Sequence, residues 1–136
     1  MNELDLITYF ISLIRQLGYS VVEADLGIAA VVVPARRLVM INKRNVHIFD
    51  IAHEFAHIKL DHSGRLLSFE GNDERNPNEY AANVLAIEII VRNHIDMGCM
   101  YNYVKIMEWY GIPPHLEDTL ISVMTDLHPC AEQVYI

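Results

Sequence analysis

Apolar residues Leu4, Leu6, Ile7, Phe10, Ile11, Leu13, Ile14 and Leu17 recur at the three- and four-residue spacing of one helix face, and Gly18 stands where such a helix ends. The spacing predicts a first helix over residues 3–17. The pattern then shortens. Tyr19 to Ala24, Ile28 to Val33 and Arg37 to Ile41 are runs rich in β-branched residues, punctuated by Gly27 and Pro34, and they predict three strands paired as an antiparallel meander. Helical spacing returns with Ile48, Ile51, Ala52, Phe55 and Ile58, with Asn45 as the candidate cap. The polar stretch from Ser63 to Asn76 predicts a loop, after which Asn76 caps and Pro77 opens a third helix running to Arg92. Two further helices are expected, from Met100 to Tyr110 and from His115 to Leu127, divided by Gly111, Pro113 and Pro114, with a loosely held tail after them. This order implies an α+β fold in one domain over residues 1–136, with an N-terminal helix, a small three-stranded antiparallel sheet, two central helices and two C-terminal helices.

Composition narrows the class. A chain of 136 residues with 52% hydrophobic and 21% charged positions has the make-up of a globular domain and lies far from that of a disordered one. Its net charge of -8 lacks the basic footprint that neutralises phosphates, so no direct nucleic-acid contact is expected. Cys99 and Cys130 are too few for a disulfide scaffold and read as thiols. The first residues, MNELDLITYF, show no basic segment followed by an apolar one and a cleavage site, which implies a cytoplasmic protein. The longest charge-free apolar run, Leu26 to Ala35, contains Pro34 and falls well short of the roughly 20 residues a membrane helix needs, so no membrane segment is expected.

Candidate chemistry sits on the second helix. His53-Glu54-Phe55-Ala56-His57 is an H-E-x-x-H sequence. Histidines four apart stack on one helix face with β-carbons about 5 to 6 Å apart, so both imidazoles reach one ion. Glu54, one position round the helix, is placed to approach water at that ion as a general base. An open zinc site takes a third protein ligand. Glu79 is the first candidate, because the first turn of a helix favours an ionised carboxylate, while Asp61, Asp73 and Glu74 remain open alternatives. Asn83 follows one turn after Glu79, where its side-chain oxygen can accept from the ring N–H of a zinc-bound histidine. A longer zinc pattern with Gly at 60 and His at 63 is excluded by Leu60 and Ser63. His62 misses that register and reads as a helix-end residue, and with Tyr80 and Arg75 it is an unranked candidate for oxyanion stabilisation. His47, His94, His115 and His128 lack partners at ligand spacing and read as structural or surface residues. Met97, Met100, Tyr101, Val104 and Met107 form an apolar stripe that reads as core in preference to a substrate groove.

HEFAHIKLDH followed by NEYAANVLAIEIIV resembles the ImmA/IrrE family of metallopeptidases, whose pattern is a zinc-binding helix and then a Glu-x-x-Ala-Asn helix. Glu79, Ala82 and Asn83 match the second part letter for letter, and the likeness extends from Leu38 to Arg92. Past Met97 no family motif is recognised. The resemblance implies a zincin-like fold with Zn2+ held by His53, His57 and Glu79, and Glu54 as the catalytic residue. It is closest to the short members encoded by temperate phages and mobile elements beside a repressor gene. For those the implied activity is a limited cut in a protein substrate, a transcriptional repressor. The reading from another class is a non-catalytic anti-repressor in which zinc only joins two helices. Structural zinc sites are closed by four protein ligands and have no use for Glu54, which favours the enzyme.

Overall fold

Leu6, Phe10 and Ile14 lie four apart and bury 4%, 1% and 0% exposed side chains in the core, which fixes the inward face of helix α1 (Glu3–Gln16). The helix stops where Gly18 takes φ +88, a left-handed conformation that glycine adopts without strain. The computed structural model describes residues 3–25, 27–42, 44–60, 77–96 and 102–127. Among these residues it has an α+β architecture of five α-helices and one three-stranded sheet.

Strands β1 (Ser20–Glu23), β2 (Ala30–Val33) and β3 (Leu38–Ile41) occupy the three predicted runs, but the antiparallel meander is corrected to a mixed sheet of order β1-β3-β2. β3 pairs antiparallel with β2 and parallel with β1. Strand directions are those of a meander; only the order differs, because β3 lies between the other two. Burial explains the exchange. Val39 and Ile41 of β3 are 0% and 1% exposed, whereas β1 is bounded by the exposed polar residues Ser20 and Glu23 and suits an edge. The tight link is the one from β2 to β3, a 3-10 turn over Pro34–Arg36 ending with Arg37 at φ 48.

Helix α2 (Ile48–Lys59) begins at His47 and not at Asn45, the expected cap. Asp50 Oδ2 accepts from the His47 N–H at 2.8 Å, while the turn before it is organised by Asn42. Asn42 is 4% exposed; its carbonyl accepts from Asn45 and Val46, and its Oδ1 accepts from the Arg44 N–H at 3.2 Å. A buried residue whose side chain and carbonyl together satisfy three backbone donors holds the β3–α2 connection in one shape. The inward face of α2 packs on α1, with the rings of Phe10 and Phe55 at 6.3 Å, and on α3 (Pro77–Asp96), where Ala82, Ala86 and Ile87 are 0% exposed. Small alanines there let the two helices approach closely. α3 continues past the expected end at Arg92, since no breaking residue intervenes before Asp96.

Helices α4 (Tyr103–Tyr110) and α5 (Glu117–Leu127) close the core with Ile106, Leu120 and Met124. Asn102 caps α4 by accepting from the Val104 and Lys105 N–H groups. Gly111 ends it at φ +70, and a β-carbon there would overlap the side chain of His47 at the start of α2. Gly111→Ala is therefore expected to lower stability by more than about 2 kcal/mol, combining left-handed strain with a clash against the His47 side chain. Urea unfolding measures this, and a loss under about 0.5 kcal/mol would show that the α4–α2 contact yields easily.

Candidate metal centre

Consecutive turns of α2 place His53 and His57 side by side, 7% and 3% exposed, with their rings edge to face at 4.6 Å. Phe49, one turn earlier and 1% exposed, packs its ring 5.7 Å from that of His53 and limits its rotation. The first turn of α3 brings in Glu79. His53 Nε2 lies 3.0 Å from Glu79 Oε2, His57 Nε2 lies 3.0 Å from Glu79 Oε1, and the two Nε2 atoms are 3.1 Å apart. Among the described residues these three side chains are the group of metal-ligand type gathered within mutual reach.

The donor set fits a metal ion. Bonds of about 2.0 to 2.1 Å in a tetrahedron put neighbouring ligand atoms about 3.3 to 3.4 Å apart; the two Nε2 atoms are 3.1 Å apart, and each has its own Glu79 oxygen at 3.0 Å. Two imidazoles and one carboxylate also leave a fourth position open, as a catalytic site requires. Burial alone would raise Glu79, but hydrogen bonds from His53 and His57 outweigh it and hold its carboxyl down at about 2. It is therefore ionised, as a ligand must be.

Glu54 follows His53 directly and is only partly exposed. Burial raises its carboxyl to about 8; the charge of His57 opposes that shift, while Glu79 and Asp50 add to it. A carboxyl moved near neutrality can take up and release a proton at working pH, the property expected of a general acid-base group. Asn83 is 1% exposed, and its Oδ1 has no hydrogen-bond partner among the described residues, so the expected bond to a histidine is not formed here.

The remaining sequence candidates separate clearly. Asp61, His62, Asp73, Glu74, Arg75, Asn76, Met97, Met100, Tyr101, Cys99, Cys130 and His128 lie outside the described residues. His94 is 2% exposed, and its Nδ1 lies 2.9 Å from the Tyr110 hydroxyl, tying α3 to α4. His47 is mostly exposed beside Asp50, and His115 is exposed. Of the apolar stripe, Met107 packs against the core whereas Val104 is 44% exposed. Tyr80 is 57% exposed. Sequence reasoning missed Asn42, Asp50 and Phe49. The signal for Asp50 was its place three residues after the true cap, and that for Phe49 was its place one turn before His53.

The IrrE N-terminal-like domain, the M78 peptidase family, matches residues 14–115. The chain belongs to that family, and the family points to metallopeptidase activity. Neither the curated proteins nor the solved structures yield a match to it. Among the described residues no helix is long and apolar enough to cross a membrane.

Proposed function

We propose that this chain is a zinc-dependent endopeptidase that makes a limited cut in a regulatory protein, a transcriptional repressor of a phage or mobile element. The observation that supports it best is the convergence of His53, His57 and Glu79 on one point, with the raised Glu54 carboxyl on the next position of the same helix. The family match supports the reaction class. In this reading His53, His57 and Glu79 hold Zn2+ in a zincin-like arrangement, in the cytoplasm. A zinc ion bound there supplies Lewis-acid polarisation of the scissile carbonyl and acidifies the attacking water.

Glu54 accepts the proton that the water loses and returns it to the leaving amine nitrogen, so the carboxyl ends the cycle as it began. The buried site excludes competing solvent around the two histidines, which strengthens every charge interaction there. Phe49 holds the His53 ring while the chemistry proceeds. Co-expression with a candidate repressor tests this. The expected result is one new fragment pair by mass spectrometry, absent when a chelator strips the metal from the purified mixture. An intact regulator beside a zinc-loaded chain counts against the repressor as substrate.

A further inference from the structure

Three buried side-chain atoms of α2 and α3 stand without a hydrogen-bond partner among the described residues: His53 Nδ1, Asn78 Nδ2 and Asn83 Oδ1. Each forfeits its hydration with no return, which buried polar groups in folded proteins rarely do. His53 lies on α2 and Asn83 on α3, which packs against it. Glu79 meets His53 at Nε2, 3.0 Å away, and Asn83 follows Glu79 by four residues, about 6 Å further along the α3 axis. The imidazole directs Nδ1 away from Nε2, so a partner for Nδ1 belongs about one helical turn from the partner of Nε2, the step that separates Asn83 from Glu79.

His53 Nδ1 and Asn83 Oδ1 are not bonded to each other in this structure. Glu79 accepts from His53 Nε2–H, so a neutral ring has its single proton on Nε2 and presents Nδ1 as a bare acceptor. Asn83 Oδ1 is an acceptor too, and two acceptors cannot bond. Once Nε2 serves as a metal ligand, the ring's one proton must sit on Nδ1. We propose that Asn83 is the positioning residue for His53, accepting from Nδ1–H when the site is loaded and so fixing the ligating tautomer. The inference rests on the metal reading above and assigns Asn83 to His53 and not to His57.

The test is nitrogen-15 NMR of the histidine rings with zinc titration against a competing chelator. In the metal-free parent His53 is expected as the Nε2–H tautomer. In the zinc-loaded parent it is expected as Nδ1–H, with slow exchange against water. Asn83→Leu keeps the bulk without the acceptor, and should weaken zinc binding about 10- to 100-fold and speed Nδ1–H exchange. Asn83→Asp keeps the acceptor and should bind within a few-fold of the parent. Equal affinity in Asn83→Leu and the parent overturns the assignment, as does an Asn83→Asp protein as weak as Asn83→Leu. Should Asn83→Leu not fold, fast Nδ1–H exchange in the loaded parent is enough to reject it. A parent that binds no zinc at all overturns the metal reading itself, a distinct outcome.

Discussion

Glu54→Gln is expected to retain zinc and partner binding while proteolysis falls by several orders of magnitude. The substitution preserves the shape of the side chain but removes the group proposed to take a proton from water and deliver it to the leaving amine. Each of those general acid-base contributions is worth roughly 100-fold to 10,000-fold. Cleavage of the co-expressed regulator, read by gel and mass spectrometry with zinc measured in both proteins, gives the answer. If the Gln protein relieves repression as well as the parent does, catalysis is irrelevant and the chain acts as a binding anti-repressor. Stability of the metal-free protein gives a second readout. Glu54 is raised from 4.5 to about 8 in the folded state, so its protonated form favours folding. That contribution is complete below pH 4.5 and is lost as pH rises through 8, a slope that Glu54→Gln should flatten. Glu79 moves the other way, from 4.5 down to about 2, so its contribution is present above 4.5 and lost only as pH falls towards 2. The two windows do not overlap.

Periodicity made the helices legible, because a buried stripe such as Leu6, Phe10 and Ile14 leaves its spacing in the sequence. The two imidazoles of the site were legible for the same reason, as four-residue spacing on a helix is a statement about distance. Sheet order was not. The runs now seen as β1, β2 and β3 each announce a strand, but nothing local says that β3 inserts between the others, since that choice depends on which strand the helices cover. The cap at His47 was hidden by Asn45, a better capping residue by type. Asn42 spends its side chain and carbonyl on the preceding turn, and that moves the start of α2 two residues on. Glu79 was reachable from sequence only as one carboxylate among several. Its approach to both histidines follows from the alanine-lined packing of α3 on α2, a tertiary fact.

Changing His53 and His57 together to Ala should abolish zinc binding, from about one ion per chain in protein purified without added metal to almost none. In the proposed site each imidazole supplies one of the three ligand atoms, and with both gone Glu79 is left as a single carboxylate on one helix, too weak to hold an ion. Zinc that binds only the folded state also stabilises it, by about 2.7 kcal/mol when free zinc is 100 times the dissociation constant. Added zinc should therefore raise the melting temperature of the parent and leave the double variant unmoved. Glu79→Ala should lose most of that shift as well, whereas Asp73→Ala and Glu74→Ala should keep it. Circular dichroism separates a lost site from a lost fold, which matters because both histidines are buried. Stoichiometric zinc in a folded His53→Ala/His57→Ala protein would place the metal elsewhere, and a larger loss from Asp73→Ala than from Glu79→Ala would move the third ligand off α3.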